Sequence, residues 1–263
     1  MGLRDRSQRE RNHRRYVLKA DTSRQWRLLD LQALDTRLDQ IAHHKATLPE
    51  LVELSALEAK TAALDDDLVR ARTALDDVQR EIAKAESDVQ LVRERSARNQ
   101  ARMEAGQGTA KDMQALHHEV ESLAHRQSDL EDIELEVMER AEGLAADVSR
   151  LEIARAELTE RVDDLEALRD KAFAEMDAEV GQLSYSRGDV VAGVGQDLVD
   201  LYAKIRASSG GIGAAVLRQR RCEGCNLELN QVDINRFTAA EQDEVLRCEE
   251  CRRILIRTSE SGI

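Results

Sequence analysis

The sequence contains few of the residues that build deep globular cores and frequent turns. Its 263 residues include only six aromatic side chains and a single proline, Pro49. Aromatic side chains normally supply much of the buried area of a core, and a globule of this length needs turn residues at frequent intervals. With 35% charged residues, this composition predicts long helices and excludes an ordinary single globule.

The chain also lacks any run of 18 apolar residues, so we expect no membrane-spanning helix and no membrane partner. No apolar stretch follows the basic segment 1–17, as it would in an export signal. We therefore expect a cytoplasmic protein whose thiols stay reduced.

The charge is distributed unevenly. The formal charge is −13, although residues 1–17 carry +4. A strongly acidic body disfavours broad, nonspecific binding to a phosphate backbone, which needs clustered Lys and Arg. Helical periodicity begins only after the basic segment. Residues 1–18 are therefore expected to be a basic disordered arm or an upstream extension of the natural start near Lys19.

Apolar spacing predicts a first helix that ends near Thr47, because the residue before a proline is pushed out of the helical region. Pro49 fits the first turn of a second helix. In that helix an apolar seam alternates steps of three and four residues from Leu54 to Val92. Such sustained periodicity is typical of a coiled coil. The seam is expected to stop in the polar stretch 94–111.

A return seam with the same alternation runs from Met113 to Leu165. Two long seams joined by a glycine-containing loop predict an antiparallel helical hairpin domain at 19–180, with its tip at about 95–111. The return helix is longer than the outgoing one. Its surplus, at about 150–180, is expected to pack against the first helix.

Three polar residues interrupt the return seam: Gln127, Glu134 and Arg155. A polar residue in a seam usually specifies register at some cost in stability. Alternatively, these residues line a surface that binds a partner.

Beyond Gly181 the helical pattern changes, which predicts a separate region at 181–263. We expect a short helix at 194–205, a helix terminus at 208–211, where two glycines stand, and a short strand at 212–218.

All four cysteines lie in this last region, as two CxxC pairs with 22 residues between them: Cys222, Cys225, Cys248 and Cys251. Two intervening residues let the backbone turn and present both sulfurs to one metal ion, and two pairs complete a tetrahedral zinc site. Gly224 suits such a turn because glycine tolerates positive φ. The spacer is expected to form a hairpin with a wide loop. One structural Zn²⁺ is therefore predicted.

Other uses of the cysteines are disfavoured. A redox dithiol would be expected in a βαβ context, which neither CxxC pair has. A catalytic zinc needs an open coordination position, which four protein ligands do not leave. The expected fold is mainly α: a long antiparallel coiled-coil helical hairpin with a small C-terminal β zinc ribbon, whose folding depends on the metal.

Five arginines flank the two CxxC pairs and are candidate nucleic-acid contacts: Arg218, Arg220, Arg221, Arg252 and Arg253. Eight arginines balance eight acidic residues across 214–258. An aromatic stacking platform is absent, since Phe237 stands alone. The alternative interpretation is a solvated surface of mixed charge. Zinc is therefore strongly indicated, whereas nucleic acid is only a candidate partner.

Residues 19–258 as a whole resemble bacterial coiled-coil proteins with a C-terminal four-cysteine zinc ribbon, particularly the actinobacterial members. The resemblance is carried by LLDLQALDTRLDQIAH (28–43), AKDMQALHHEVESLAHRQSDLEDIELEVMER (110–140), LYAKIR (201–206) and CEGC…CEECRRIL (222–255). The family usually has glycine after the last cysteine, where this chain has Arg252. The resemblance implies a kinked hairpin joined to a ribbon, no known enzymatic activity, and, in distant relatives, partners such as a sigma factor and a flagellin transcript.

We therefore expect a non-enzymatic zinc-binding adaptor. Its coiled coil would bind a protein partner and its ribbon a protein or nucleic acid, in transcriptional or post-transcriptional regulation. The alternative is a nucleic-acid-binding protein that acts through the ribbon arginines. An enzyme with a small-molecule substrate is disfavoured, because no Ser/His/Asp, phosphate-loop or open metal-site pattern is present.

Overall fold

A computed structural model describes residues 18–106 and 108–263. The basic segment 1–17, and with it the choice between an arm and an upstream extension, lies outside the described residues. The described chain contains five helices: α1 (Thr22–Ala46), α2 (Pro49–Glu104), α3 (Ala110–Val194), α4 (Gln196–Ser208) and α5 (Gln231–Ala239). It also contains four short strands: β1 (Ala214–Arg218), β2 (Arg221–Cys222), β3 (Leu246–Arg247) and β4 (Ile254–Arg257).

The chain divides into two compact units. The hairpin unit is Pro49–Leu168. The ribbon unit joins the residues up to Leu48 with Arg169–Ile263, and it includes the last part of α3. The mainly α fold with a long helical hairpin and a small C-terminal sheet confirms the predicted fold class.

Helix α1 ends as predicted, just before Thr47. The Asp21 side chain accepts a hydrogen bond from the Ser23 N–H (2.8 Å), which caps the helix N-terminus. The helix ends at Ala46, and α2 begins at Pro49. Basic residues in the last turn of α1 interact favourably with the negative end of the helix dipole.

The hairpin unit is closed by the two predicted seams, whose members are all buried or half-buried. Ion pairs between the two helices follow the antiparallel register, because the residue numbers of the partners decrease along α3 as they increase along α2. Arg72 pairs with Glu152 (2.6 Å), and Arg93 pairs with Glu131 (2.6 Å).

Polar seam positions take part in this register. Arg155 is half-buried, and its Nε lies 2.8 Å from Asp65 Oδ1 on the facing helix. Gln127 donates to Glu131 Oε1 (2.7 Å), the atom that also accepts from Arg93. These contacts favour the register interpretation over a partner-binding surface for Gln127 and Arg155.

The hairpin tip is shorter than the predicted 95–111. Helix α2 continues to Glu104 because Ser96, Asn99 and Met103 extend its seam by steps of four, three and four residues. The seam therefore ends inside the predicted stretch 94–111, but beyond Val92, the last member that the apolar spacing identifies. Apolar spacing does not detect this continuation, because Ser96 and Asn99 are polar.

The predicted boundary at Gly181 does not end a helix. Helix α3 passes through Gly181 and ends only at Val194. A glycine inside a helix costs about 1 kcal/mol relative to alanine, and burial of later residues such as Val194 offsets that cost. The break comes instead at Gly195, which has a φ of 87° and precedes α4, the predicted short helix.

The larger core of the ribbon unit contains a buried carboxylate. Asp35 is 3% exposed and follows Leu28 and Leu31 along the buried stripe of α1. It accepts hydrogen bonds from the Tyr202 hydroxyl (2.8 Å) and from Arg187 Nε (2.6 Å). Burial, and then the hydrogen bond to Asp35, raise the pKa of Tyr202. A buried charge is tolerated when it is paired in this way.

The four strands form one sheet in the order β2-β1-β4-β3. The central strands β1 and β4 are parallel, with Ala214 opposite Ile254. Strand β2 runs antiparallel to β1, and β3 runs antiparallel to β4. This topology determines where the cysteines meet.

Candidate metal centre

The sheet brings the two CxxC pairs to the same end of the ribbon. Cys222 is the last residue of β2, which runs back towards the start of β1. Cys248 and Cys251 lie in the turn that leads from β3 into the start of β4. Because β1 and β4 are parallel and in register, their starting ends lie side by side, and the two cysteine turns lie together.

The four sulfurs have the spacing that a tetrahedral zinc site requires. Cys222 Sγ lies 3.8 Å from Cys251 Sγ, and Cys225 Sγ lies 3.9 Å from Cys248 Sγ. All four ligand atoms are within 4.8 Å of one another. A tetrahedron with Zn–S bonds of about 2.3 Å has sulfur–sulfur edges of roughly 3.8 Å. The cysteines are free thiols rather than disulfides, and the donor set fits one Zn²⁺.

Backbone N–H groups in each turn donate to the first sulfur of the pair. Gly224 and Cys225 donate to Cys222, and Glu250 and Cys251 donate to Cys248. Burial outweighs these hydrogen bonds and raises the pKa of both thiols, Cys222 and Cys248. Metal binding needs thiolates, so the N–H donors supply part of the stabilisation of the charged form.

Cys251 differs because Arg253 contacts it. Burial raises the pKa of Cys251, but hydrogen bonds from the backbone and side chain of Arg253, and from neighbouring thiols, lower it to about 7. Cys251 is therefore more easily deprotonated near neutral pH than Cys222 or Cys248.

Gly224 is required for space rather than for positive φ, which corrects the expectation from sequence. A Cβ at this position would lie 2.6 Å from Arg253 Cδ and 3.0 Å from Ala215 Cβ. The positive φ values occur one residue after each pair instead, at Asn226 (60°) and Arg252 (64°). Asparagine visits this conformation readily, whereas arginine adopts it at a cost. The strained residue, Arg252, stands at the position where the resembled family usually has glycine.

The spacer between the pairs contains helix α5 rather than the expected wide hairpin loop. Asn230 caps the helix, since its side chain accepts from the Asp233 N–H (2.8 Å). Ile234 and Phe237, three residues apart on one face, are 4% and 2% exposed and pack in the small ribbon core with the cysteines. The helix thus covers the side of the ribbon that a loop would leave open.

Three of the five candidate arginines are engaged within the ribbon unit. Arg218 pairs with Glu223 (3.1 Å) and Glu260 (2.8 Å), and Arg252 pairs with Glu249 (3.1 Å). Arg253 is half-buried and donates to the carbonyl oxygens of Ser209 (2.6 Å) and Ile212 (3.1 Å). Arg253 therefore supports the site from inside.

The other two arginines are exposed and donate to backbone carbonyls. Arg220 Nε lies 3.1 Å from the Gly262 oxygen, and Arg221 Nη1 lies 3.4 Å from the Asn226 oxygen. Arg221 is the cross-strand partner of Arg218. The five residues are not all exposed, because Arg253 is half-buried, and their contact with nucleic acid stays a prediction.

Within 18–106 and 108–263, the cysteines are the one cluster of three or more His, Cys, Asp or Glu side chains that could share a metal ion. No helix in this described part is long and apolar enough to cross a membrane.

Two family descriptions match this architecture. Residues 31–210 match the CT398-like coiled coil hairpin domain, and residues 221–255 match the C4-type zinc ribbon domain. A protein of Mycobacterium tuberculosis is 36% identical over 244 residues, which are 91% of this chain and 98% of the relative. A protein of Mycobacterium leprae is 29% identical over 225 residues, which are 84% of this chain and 94% of the relative.

Solved structures agree with the fold. A protein of Mycobacterium smegmatis superposes with a TM-score of 0.82 at 38% identity, covering 92% of this chain and all of that one. CT398 from Chlamydia trachomatis superposes with a TM-score of 0.67 at 17% identity, covering 89% of this chain and 98% of that one. At that identity the second likeness shows the fold alone. The predicted resemblance, the zinc ribbon and its single structural zinc are confirmed.

Proposed function

This chain belongs to the family of CT398-like coiled-coil hairpin proteins that carry a C4-type zinc ribbon, and from this premise we propose that it is a non-enzymatic adaptor. The hairpin binds a protein partner, and the ribbon contacts a second macromolecule. The adaptor works in the cytoplasm, where reduced thiols remain available for metal.

The zinc in this proposal has a structural role. Its ligands are Cys222, Cys225, Cys248 and Cys251, all from one chain. Four thiolates leave no coordination position for water or substrate, and neither matching family description names an enzyme. The chemistry of the site therefore supports folding rather than catalysis.

The observation that carries the adaptor role is the outer surface of the hairpin unit. Its seam is filled by the two helices themselves, yet several large aliphatic side chains point outward at more than half exposure: Val52, Val69, Leu91, Leu135 and Ile153. Interspersed with charged residues, they offer contact points for the apolar face of a partner helix.

A second candidate function is nucleic-acid binding through the ribbon. Arg220 and Arg221 support it, because both are exposed and donate only to backbone carbonyls among the contacts described. Binding of this kind weakens steeply with salt. A gel shift at about 50 mM salt that disappears in Arg220→Ala/Arg221→Ala would favour this candidate over the adaptor role.

Affinity purification of the whole chain from a native host, with and without nuclease, distinguishes the two functions. The adaptor proposal expects a stoichiometric protein that stays bound after nuclease treatment. Loss of every bound protein after nuclease treatment would instead indicate nucleic-acid-mediated contacts and contradict the adaptor role. The Val69→Asp/Leu135→Asp variant should release the protein partner, whereas the Arg220→Ala/Arg221→Ala variant should retain it.

A further inference from the structure

The fold places the single tryptophan of the chain beside the last strand of the ribbon sheet. Trp26 lies in the second turn of α1, and its indole Nε1–H donates to the backbone oxygen of Arg257, 231 residues further along the chain (2.9 Å). This bond holds the indole by its edge, while the residue stays 51% exposed. The ribbon unit therefore has an aromatic surface that residues 214–258 alone do not supply.

Trp26 also lines a cavity of about 260 Å³ within the ribbon unit. The other walls come from the start of α1, from Gln242 and from the chain that follows β4. Whole drug-sized ligands usually occupy pockets of roughly 300–1,000 Å³. The cavity is slightly smaller, so it suits a single ring system and the groups attached to it.

A buried side chain offers this cavity a hydrogen-bond acceptor. Gln25 lines the cavity and is 2% exposed. Its Nε2 donates to the backbone oxygens of Ala20 (2.8 Å) and Gln242 (3.3 Å), which fixes the amide. Its Oε1 accepts no hydrogen bond from the described residues. Buried polar groups are normally paired, and a ligand with an N–H group would satisfy this oxygen.

Two cations beside the cavity have no carboxylate partner. Arg257 lines it and donates through Nη1 and Nη2 to four backbone carbonyls, but no described carboxylate lies within 4.0 Å of its guanidinium. Arg220 is exposed, and its Nε donates to the oxygen of Gly262, which lies between two lining residues (3.1 Å). An anionic group at this side of the cavity would meet both cations.

The acidic residues around the cavity are mostly matched by other cations. Lys19 pairs with two of them, and Arg218 pairs with Glu260 (2.8 Å). Glu244 acts on Arg257 through its charge without an ion pair within 4.0 Å. Two unpaired arginines therefore stand against one unpaired glutamate, which leaves a positive balance for an anion.

We propose that this cavity binds a nucleotide, whose base stacks on Trp26 and whose phosphate lies against Arg257 and Arg220. Stacking of a base on an aromatic side chain is worth about 1–3 kcal/mol. Bases carry N–H donors at their edges, which the Gln25 Oε1 can accept. The inference deepens the second candidate function, nucleic-acid binding through the ribbon, and rests on it where the nucleotide belongs to a strand. A free mononucleotide offers the same chemistry.

The test uses the intrinsic fluorescence of the full zinc-loaded chain, because Trp26 is its single tryptophan. The probes are the four ribonucleoside monophosphates and a single-stranded RNA hexamer. Saturable quenching is expected, with weaker binding of the nucleosides, which lack phosphate, and no quenching by ribose phosphate, which lacks the ring. Absence of saturable quenching by every nucleotide and by the hexamer, or equal quenching by ribose phosphate, would overturn the proposal.

Variants locate the binding by calorimetry. Trp26→Leu should weaken nucleotide binding at least about tenfold, since stacking is lost. Tyr185→Leu is the matched control, because Tyr185 is a 76% exposed aromatic residue of the same unit, and it should bind within about twofold of the unchanged chain. Equal loss in the two variants would contradict stacking on Trp26.

A substitution at an exposed position keeps the proposal testable if Trp26→Leu does not fold. Arg220→Gln should reduce the preference for nucleotide over nucleoside by about two- to fivefold, as expected for an exposed ion pair, and should leave nucleoside binding unchanged. An unchanged preference would contradict the placement of the phosphate.

The RNA hexamer distinguishes the two sources of the nucleotide. Tighter binding of the hexamer than of its mononucleotide, with a steep dependence on salt, assigns the cavity to a nucleic-acid strand, whereas equal binding assigns it to a free nucleotide. A gel shift that is lost in Arg220→Ala/Arg221→Ala but unchanged in Trp26→Leu would leave nucleic-acid binding standing and show this inference to be wrong. Nucleotide binding without any gel shift would leave the cavity assignment standing while the nucleic-acid function fails.

Discussion

The hairpin unit and the zinc ribbon achieve stability in opposite ways. The hairpin unit contains no aromatic residue, and it buries leucine, valine and alanine along a narrow seam. The ribbon has four very short strands, but a single cluster gathers the cysteines, Phe237 and three strand residues: Leu217, Leu246 and Leu255.

This difference predicts different responses to damage. A seam divides its stabilisation among many similar contacts, so that one substitution removes a small share. The ribbon is too small to fold on apolar burial alone, and metal binding there is part of the folding free energy. Ribbon substitutions at the metal should therefore act in an all-or-none manner, whereas seam substitutions should act gradually.

The largest expected effect is loss of the metal. Cys222→Ser should release zinc and unfold the ribbon, because a structural zinc contributes on the order of 10 kcal/mol to folding of such a small module. Mass spectrometry under native conditions measures the zinc content. Hydrogen exchange should show lost protection across Ala214–Arg257 and unchanged protection in Pro49–Leu168. An equal loss of hydrogen-exchange protection in the hairpin unit would show that the two units are not stabilised independently.

A smaller effect is expected in the seam, where two adjacent residues provide a matched pair. Leu68 is 6% exposed and Val69 is 64% exposed. Leu68→Ala should lower the free energy of unfolding by about 2–3 kcal/mol through lost burial and a residual cavity, while Val69→Ala should change it by less than about 0.5 kcal/mol. Urea denaturation followed by circular dichroism measures both. Equal effects would mean that the seam register is misassigned.

Asn99 offers a substitution that should stabilise the hairpin. Asn99 is 7% exposed, and its Nδ2 has no hydrogen-bond partner within residues 18–106 and 108–263. Replacing this amide by leucine should raise the free energy of unfolding by about 1–2 kcal/mol, because the desolvation cost is removed and apolar area is buried. Ser96→Leu, at a half-buried position one step earlier, tests whether any added apolar side chain suffices. A destabilised Asn99→Leu variant would show that the amide is satisfied in solution.

The smallest expected effect concerns the turn after the last cysteine. Arg252 has a φ of 64°, so Arg252→Gly should stabilise the ribbon by about 0.5–1 kcal/mol. Arg252→Ala is the control, because it removes the pair with Glu249 without relieving the backbone. Thermal unfolding of the zinc-loaded chain measures the difference. If the alanine variant is equally stabilised, the side chain rather than the backbone conformation is responsible.

The sequence predicts the parts of this molecule that depend on local repetition. The alternating seam identifies the hairpin and its antiparallel return, and Pro49 marks the break between the first two helices. The spacing of the cysteines identifies the zinc ribbon. Each of these signals acts within a few residues, so it can be read without knowing the fold.

The features that the sequence did not predict depend on weaker or distant signals. Asn230 and Asp233 form a helix cap, and Ile234 and Phe237 follow it with helical spacing. This short signal for α5 was missed because residues 226–247 were interpreted only as a loop between the cysteine pairs. The last part of the seam in α2 was not recognised, because Ser96 and Asn99 are polar. The inward role of Arg253 depends on carbonyls of Ser209 and Ile212, more than 40 residues away in the chain. Only the folded ribbon brings those groups together.

X-ray absorption at the zinc edge, with metal analysis of the purified full chain, tests the central claim most directly. We predict one zinc per chain, coordinated by four sulfurs at about 2.3 Å. A first shell containing nitrogen or oxygen, or full zinc retention in a Cys222→Ser/Cys225→Ser variant, would contradict a structural site built from both CxxC pairs.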